Sequence, residues 1–273
     1  MTGVEIREAL AQAAARFAFS ATPRLDAELL MGHALGCTRE ALLLGQLDDP
    51  APAGFAELIE RRARHEPVAY ITGEREFWTI TLRVGPGVLV PRADSETLIE
   101  AAAAHFGGRA PRTVLDLGTG SGALLLAALD QWRQATGAGV ERSAAALAMA
   151  RDNAARLGMA DRARFVEGGW DAAGGQFDLV LCNPPYVAAT ERLPREVAEY
   201  EPASALYAGA HGLDDYRALA PLIAGRIAPG GVACIEIGAD QGESAAALFR
   251  AQRLTITVRQ DLAGRDRCLV ATP

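Results

Sequence analysis

The sequence predicts an α/β protein, in which helices cover both faces of a mostly parallel sheet and a small helical domain and a short linker precede it. Three observations support this prediction. Apolar residues recur at helical spacing up to about residue 64, a period-two pattern replaces them between residues 77 and 90, and strand patterns alternate with helix patterns after residue 111. Half of the 273 residues are hydrophobic, which suffices for one large core and one small core.

The first predicted unit, residues 1–76, is a helical domain. Leu25, Leu29 and Leu30 recur at helical spacing, and the Asp-Asp-Pro-Ala-Pro segment at residues 48–52 separates one helical stretch from the next. No strand pattern of useful length is evident in this unit. We therefore expect a small helical bundle without catalytic groups of its own, and a role in docking a substrate stays open.

A β-hairpin linker is predicted over residues 77–91. The pattern indicates a first strand at residues 78–84, a Gly-Pro-Gly turn and a second strand at residues 88–90. A helix is expected to follow, with Asp94 or Ser95 as its cap.

Residues 92–273 are predicted to form the α/β domain. The strand candidates are residues 113–117, 138–141, 163–166, 177–182, 231–237, 254–259 and 268–271. The helix candidates, which lie between these strands, are residues 123–134, 144–157, 214–227 and 244–252. Sheets with this alternation bind ligands at the carboxyl ends of their strands, so the chemistry is expected in the loops that follow the strands.

A glycine-rich loop follows the first strand of that domain. Its sequence is Asp116-Leu117-Gly118-Thr119-Gly120-Ser121-Gly122, and it opens a helix. Glycines permit a tight turn and let a ligand approach the backbone, and the helix N-terminus is expected to offer unpaired N–H groups. The same residues satisfy a relaxed dinucleotide-binding fingerprint, so the loop alone does not identify its ligand.

Glu141 and Trp170, which lie at or after the ends of the second and third strands, fit an adenosine ligand. Glu141 ends the second strand, 21 residues after Gly120, where an acid can accept both ribose hydroxyls of NAD or of S-adenosylmethionine. An acid there can also cap the helix that begins near Ser143. Trp170 follows the third strand, where an indole packs in the core or lies against an adenine.

The most informative segment is residues 177–186, an apolar strand that ends in Asn183-Pro184-Pro185-Tyr186. Two prolines fix the backbone and remove two N–H donors, which leaves a row of carbonyl acceptors beside the Asn183 side-chain oxygen. Tyr186 adds an aromatic face. Such a site suits a planar –NH₂ group, whose two hydrogens are held by oxygens while the nitrogen lone pair points out of the plane at an electrophile.

These residues resemble the motifs of a known family. Asp/Asn-Pro-Pro-Tyr/Phe is typical of methyltransferases that act on planar nitrogen, in adenine or guanine amines or in glutamine amides. Further segments are similar to the HemK/PrmC family of glutamine N-methyltransferases of peptide chain release factors: Pro-Val-Ala-Tyr-Ile-Thr-Gly at residues 67–73, Leu-Val-Pro-Arg at 89–92, and Glu-Ile-Gly with Gln-Gly within 236–242. The resemblance covers nearly the whole chain.

The resemblance implies a fold, an activity and a set of site residues. The fold is a Rossmann-like S-adenosylmethionine-dependent methyltransferase sheet of seven strands, the last one antiparallel. The substrate is the side-chain amide nitrogen of the glutamine in the Gly-Gly-Gln motif of peptide chain release factors, so the activity modulates translation termination. The residues implied to bind S-adenosyl-L-methionine are Asp116, Gly118, Thr119, Gly120, Ser121, Gly122, Glu141, Trp170 and Asn183. Those implied to bind the glutamine are Asn183, Pro184, Pro185 and Tyr186, with Asn183, Pro184 and Tyr186 as the catalytic residues.

Three positions depart from the family pattern. Glu141 stands where aspartate is usual, so its carboxylate reaches one methylene further. Gly169 replaces a common aspartate before Trp170, and Asp171 is a candidate to compensate for the adenine contact. His211 replaces another frequent aspartate, on a segment whose role the sequence does not define.

Catalysis is expected to rest mostly on positioning. An amide nitrogen needs no strong base before attack, because its proton can leave after methyl transfer. Hydrogen bonds from the glutamine –NH₂ to Asn183 and to the Pro184 carbonyl would align the nitrogen with the sulfonium methyl. The four histidines do not form a metal-ligand spacing, so no metal is expected.

Three other functions stay open at this point. A DNA or RNA base amine methyltransferase would use the same Asn-Pro-Pro-Tyr pocket and flip its base into it, although no basic arm is evident. An NAD-dependent dehydrogenase would explain the glycine loop but not residues 183–186. A non-catalytic protein would dock a partner on the helical domain and use the sheet as a scaffold.

Composition bears on partners and compartment. The chain has 27 arginines, no lysine and 34 acidic residues, and its net charge of −7 disfavours tight binding to nucleic acid. No apolar run approaches the roughly 18 residues of a membrane span, and the N-terminal residues do not resemble a signal peptide. The four cysteines lie far apart without a CxxC pair. We therefore expect a cytoplasmic protein that binds release factors, with no membrane and no direct nucleic-acid substrate.

Overall fold

The computed structural model describes residues 4–273, which form two compact units. One comprises the chain up to Glu74 together with Pro194–Tyr200, and the other comprises Arg75–Leu193 and Glu201–Pro273. The domain division at residues 76 and 91 stays a prediction, and residues 1–3 of its first part lie outside the described residues.

The first unit is helical, as predicted. Its helices are α1 (Ile6–Arg16), α2 (Pro23–Leu35), α3 (Arg39–Gly45), α4 (Phe55–Ala63), α5 (Val68–Thr72) and α9 (Arg195–Ala198). Pro23 begins α2 and Gly36, with a φ of 67°, ends it, because proline is pre-organised for a first turn and glycine tolerates a left-handed cap. Phe17, Leu30 and Met31 belong to the buried core of this unit.

A buried ion-pair cluster holds α9 in the helical unit. Arg62 is 3% exposed, and its guanidinium lies 2.8 Å from Asp26 Oδ2 and 2.6 Å from Glu196 Oε2. The Tyr200 hydroxyl donates to the Arg64 carbonyl oxygen over 2.9 Å. These contacts attach the segment around α9 to α4, although the two are far apart in sequence.

A two-stranded hairpin is present, but the predicted positions of its strands are wrong. Its strands are β1 (Glu74–Phe77) and β2 (Ile80–Arg83). The chain reverses at Trp78 and Thr79 instead of at residues 85–87, and residues 88–90 form no strand.

Tertiary hydrogen bonds explain this difference. Trp78 has a φ of 55°, a strained value for a large side chain, and its N–H donates to Glu96 Oε1 over 2.8 Å. The Val90 N–H donates to the Glu201 carboxylate over 3.1 Å, so it is not available to a strand partner. Side chains distant in sequence thus decide where the hairpin turns and ends.

The second unit contains the seven-stranded sheet that was predicted. Its strands are β3 (Thr113–Leu117), β4 (Thr136–Glu141), β5 (Ala163–Glu167), β6 (Phe177–Cys182), β7 (Ile227–Glu236), β8 (Thr255–Gln260) and β9 (Asp266–Thr272). Their order is β5-β4-β3-β6-β7-β9-β8. Both pairings of β9 are antiparallel and the other four are parallel, so the last strand runs against the sheet as the resemblance implied.

Helices cover both faces of this sheet. They are α6 (Glu96–Phe106), α7 (Ala123–Gln131), α8 (Ala144–Arg156), α10 (Asp214–Arg226) and α11 (Gly242–Arg250). Successive residues of β6 enter different cores: Leu179 and Leu181 pack in the core that contains α6 and α7, whereas Val180 and Cys182 pack in the core that contains α10 and α11. Within residues 4–273, no helix is long and apolar enough to span a bilayer.

The strand order reverses between β3 and β6, which lie side by side. Leu117 pairs with Cys182, so the glycine loop after β3 and Asn183 after β6 leave the sheet next to each other. Open sheets of this type bind ligands at such a point. The register of two parallel strands therefore brings the two main predicted motifs together.

Candidate active site

A cavity of about 260 Å³ opens at the carboxyl ends of β3, β4 and β6. The predicted site residues that line it are Gly118, Thr119, Gly120, Ser121, Glu141, Trp170, Asn183 and Pro185. The predicted site residues outside its lining are Asp116, Gly122, Pro184 and Tyr186. Sequence reasoning missed other lining residues, among them Phe77, Arg142 and Ser204.

The backbone N–H groups of residues 118–120 are satisfied within the protein. Gly118 and Thr119 both donate to the Val140 carbonyl oxygen, and Gly120 donates to Glu141 Oε2. β4 thus uses the N–H groups of residues 118–120, whereas the unpaired donors were expected at the N-terminus of α7, which begins at Ala123.

Asp116 supports this loop from beneath. It is 1% exposed, and its Oδ2 accepts hydrogen bonds from the Thr119 hydroxyl and from the Leu125 N–H in the first turn of α7. Its Oδ1 has no partner among the described residues. Burial raises the pKa of this carboxyl to about 7. Asp116 shapes the loop, and its contact with a cofactor stays a prediction.

Glu141 lines the cavity with a carboxylate that the backbone holds in place. Its Oε2 accepts from the Gly120 N–H over 3.1 Å, and its Oε1 accepts from the Ser143 N–H over 2.8 Å. The Ser143 hydroxyl caps α8 by accepting from the Ala146 N–H. Glu141 thus supports the start of α8, as the capping alternative proposed, and each of its oxygens retains a lone pair for a ligand.

The Trp170 indole lies against the glycine loop. Gly118 has a φ of 75°, and a Cβ on this residue would lie 3.1 Å from Trp170 Cζ3. The indole N–H donates to Asp215 Oδ1 over 3.2 Å, and burial raises the pKa of Asp215. No sequence pattern marked Asp215, because it lies on α10 and not at a strand end.

One departure from the family pattern, Gly169, directly precedes Trp170. A Cβ on Gly169, which lines the cavity, would lie 3.4 Å from Asp171 Oδ1. The Asp171 carboxylate therefore lies beside the place of the missing aspartate, and its compensating role stays a prediction. His211 is exposed, and nothing in the structure explains its replacement of aspartate.

Asn183 places unpaired acceptors at the cavity. Its Nδ2 donates to the Ser95 hydroxyl oxygen over 3.2 Å, while its Oδ1 accepts no hydrogen bond from any residue between 4 and 273. The same holds for the backbone carbonyl oxygens of Asn183, Pro184 and Pro185. These oxygens are therefore free to accept, and their alignment as a row towards a substrate stays a prediction.

Ser95 stands at the N-cap position of α6 but makes no capping hydrogen bond. Its hydroxyl accepts from Asn183 and faces the Glu236 carboxyl. The Asp94 carboxylate lies 3.2 Å from the guanidinium of Arg267. Ser95 is thus the N-cap residue, as one of the two predicted alternatives stated, but its side chain makes no capping hydrogen bond because Asn183 uses it.

Tyr186 makes hydrogen bonds with Glu236 and Gln241, two residues whose roles the sequence left open. Its hydroxyl donates to Glu236 Oε1 over 3.1 Å, and its carbonyl oxygen accepts from Gln241 Nε2 over 2.9 Å. A Cβ on Gly212 would collide with that carbonyl oxygen. Burial raises the pKa of the Tyr186 hydroxyl above its usual value. The Glu-Ile-Gly and Gln-Gly segments thus lie behind Asn-Pro-Pro-Tyr.

A mixed sheet with an antiparallel last strand, and a glycine loop beside a cavity at its switch point, define an S-adenosylmethionine-dependent methyltransferase. The family model for the PrmC N-terminal domain matches residues 8–73, and the model for the methyltransferase small domain matches residues 93–199. The chain belongs to the family of release factor glutamine methyltransferases. It is 40% identical to the one from Moorella thermoacetica, over 97% of this chain and 98% of that one, and 41% identical to the one from Bradyrhizobium diazoefficiens, over 99% and 95%.

Solved structures share the fold. The catalytic domain of hMettl16, in complex with MAT2A 3′UTR hairpin 6, has a TM-score of 0.59 at 15% identity, over 79% of this chain and 82% of that one. The 16S rRNA methyltransferase RsmC from T. thermophilus, in complex with AdoMet and guanosine, has a TM-score of 0.52 at 21% identity, over 72% and 49%. At these identities the likeness extends to the fold alone.

Proposed function

We propose that the chain transfers a methyl group from S-adenosylmethionine to the side-chain amide nitrogen of a glutamine in peptide chain release factors, the glutamine of their Gly-Gly-Gln motif. The observation that carries this proposal is the set of unpaired acceptors at Asn183, Pro184 and Pro185 beside the glycine-loop cavity. The shared name of the full-length relatives supports glutamine as the acceptor and release factors as the substrate.

The cavity residues fit S-adenosylmethionine. Each oxygen of Glu141 has one lone pair left for a ribose hydroxyl, and the partly exposed Trp170 indole offers a face to an adenine. A Cβ on Gly120 would point into open space, so the absence of a side chain there leaves room for a ligand. The bound cofactor would supply a methyl group on a positively charged sulfur.

The substrate amide is held by acceptors only. Asn183 Oδ1 and the Pro184 carbonyl oxygen would each accept one hydrogen of the glutamine –NH₂, which fixes the amide plane. Two accepted hydrogen bonds raise the electron density on nitrogen, and the two prolines keep the acceptors rigid. The main contribution of the site is therefore alignment of the nitrogen lone pair, since ideal alignment of two reacting groups can lower a barrier by about 7–11 kcal/mol.

No general base is required before methyl transfer. The amide nitrogen attacks as a neutral group, and the methylated amide then releases one N–H proton because it carries a positive charge. The acceptors at Asn183 and Pro184 already hold both N–H bonds at that moment. They provide the first site to which this proton can move on its way to solvent.

The compartment and the partner follow from the same proposal. The chain would act in the cytoplasm, where its four unpaired cysteines stay reduced. Its helical unit would dock the release factor. A nucleic-acid base amine also fits an Asn-Pro-Pro-Tyr pocket, but the net charge of −7 and the names of the relatives favour a protein substrate.

One assay tests this function. The protein is incubated with labelled S-adenosylmethionine and with a release factor, the same factor with its motif glutamine replaced by alanine, or duplex DNA, and the label is mapped by mass spectrometry. We expect label on the glutamine of the intact factor and on neither control. Label on DNA with none on glutamine would overturn the proposal.

A further inference from the structure

Glu236 is a buried carboxyl behind the Asn-Pro-Pro-Tyr segment. It ends β7 and is 1% exposed. Its Oε1 accepts from the Tyr186 hydroxyl over 3.1 Å, and the Ser95 hydroxyl faces the same carboxyl. Asn183 Nδ2 donates to Ser95 Oγ, so this carboxyl contacts Tyr186 at one end of the segment and lies beside the partner of Asn183 at the other.

This carboxyl lacks the partners that usually accompany a buried charge. Its Oε2 has no hydrogen bond of good geometry among the described residues. Arg267 is the cation nearby, but its guanidinium nitrogens contact Asp94 and Asp261 at 3.2 and 3.3 Å and the Ile237 carbonyl at 3.4 Å. Burying an acid without an ion pair is costly, so a residue of this kind points to a functional use.

The direction of the hydrogen bonds around Glu236 indicates what this carboxyl does. An ionised carboxylate can only accept, so a Ser95 hydroxyl that turns to the unpartnered Oε2 of Glu236 would do so as the donor. This bond belongs to the proposal, because the hydrogen bond that Ser95 makes in the structure is the one with Asn183. The Ser95 oxygen then has only lone pairs for Asn183, which must turn Nδ2 towards it. Asn183 Oδ1 is left at the cavity, where the proposed substrate offers two N–H donors.

We propose that ionised Glu236 is a positioning residue that sets the direction of the Glu236–Ser95–Asn183 chain, so that Asn183 presents its oxygen to the substrate amide. This inference rests on the proposed function. A neutral Glu236 can donate to Ser95, which frees the Ser95 hydrogen for Asn183. Asn183 then turns its –NH₂ to the cavity, where it opposes the –NH₂ of a glutamine.

The proposal implies a pH dependence of turnover. Burial is the main reason why the pKa of Glu236 is raised to about 7, and the charged Arg267 and the hydrogen bonds from Ser95 and Tyr186 oppose it. The titratable and charged groups that face this carboxyl are Asp94, Cys182, Tyr186, Tyr216, Arg267 and Cys268. Turnover at saturating substrates should therefore fall as the pH drops through about 7, when the ionised form is lost.

The test compares pH profiles of kcat for wild type, Glu236→Gln, Ser95→Ala and Ser95→Thr, with release factor as the substrate. The glutamine of Glu236→Gln still accepts from Tyr186 but offers –NH₂ to Ser95, so it reverses the chain. We expect Glu236→Gln and Ser95→Ala to lose about 10- to 100-fold in kcat and to lose the fall at acid pH. Ser95→Thr should restore both, and the Kd for S-adenosylmethionine, measured by calorimetry, should stay within about twofold of wild type.

Asp116→Asn is the matched control, because Asp116 is the other fully buried carboxyl with a raised pKa and supports the cofactor loop. Its kcat should retain the fall at acid pH. An acid fall that persists in Glu236→Gln or in Ser95→Ala would overturn the inference, and Ser95→Ala provides the answer if Glu236→Gln does not fold. A wild-type protein that methylates no glutamine would instead overturn the proposed function.

Discussion

The indole of Trp170 lies so close to the backbone of Gly118 that a Cβ on residue 118 would come within 3.1 Å of Trp170 Cζ3 and 3.2 Å of Cη2. The loops that follow β3 and β5, two strands separated in the sheet by β4, thus form one wall of the cavity. The contact explains why glycine is required at this position, in addition to its φ of 75°.

Gly118→Ala should weaken S-adenosylmethionine binding by about tenfold or more. The new methyl group must displace the indole, and an alanine at this φ costs on the order of 1 kcal/mol. Calorimetric titration with the cofactor measures the effect. Gly107→Ala is a suitable comparison, since Gly107 also has a positive φ but a Cβ there meets no atom within 4 Å. Equal affinities of the two variants would contradict the role of the contact.

Asn183→Ala should lower kcat by about 100-fold or more while the Kd for S-adenosylmethionine changes by less than about threefold. The change removes the Oδ1 acceptor, but Glu141, Trp170 and the glycine loop remain. Single-turnover kinetics on release factor and calorimetry on the cofactor give the two values. Near-normal turnover of the variant would exclude the proposed mechanism.

Arg62→Ala should destabilise the helical unit by about 3–5 kcal/mol, because it leaves Asp26 buried without its cation. Arg7→Ala is the control: its ion pair with Asp48 has side chains that are 59% and 82% exposed, and such pairs contribute less than about 1 kcal/mol. Chemical denaturation followed by circular dichroism compares the two. The prediction fails when the midpoint of Arg62→Ala matches that of Arg7→Ala.

We compare the Tm of Glu236→Gln with that of wild type at two pH values. The variant should gain Tm relative to wild type at pH 8, and this gain should exceed the one at pH 5 by a few degrees. The pKa of Glu236 is raised to about 7 in the folded protein from a value of 4.5, so between these pH values the native state binds more protons than the unfolded state. Stability from this group is therefore present below about 4.5 and is lost as the pH rises through about 7. A neutral amide has no such loss. Scanning calorimetry at both pH values provides the test, and a difference of the opposite sign would show that the native state stabilises the ionised carboxyl and lowers its pKa.

Local patterns predicted the architecture because they are short-range properties of the chain. The alternation of strands and helices, the glycine loop after β3 and the two prolines after β6 each depend on neighbouring residues. The hairpin was misplaced for the opposite reason. Its turn depends on a bond from Trp78 to Glu96 and its end on a bond from Val90 to Glu201, and neither partner is a neighbour in sequence.

The sequence by itself determined the class of fold, the presence of a glycine-rich loop after β3 and the acceptor character of Asn183-Pro184-Pro185. Prolines lack N–H groups whatever surrounds them, and a carboxylate or an amide keeps its chemistry in any fold. Only the tertiary structure decided which groups remain free to act. The pairing of Leu117 with Cys182 brings the loop and Asn183 together. β4 accepts hydrogen bonds from the N–H groups of the loop. The Ser95 hydroxyl accepts a hydrogen bond from Asn183 and does not cap its helix. Hydrogen-bond partners distant in sequence are chosen by packing, so local pattern cannot specify them.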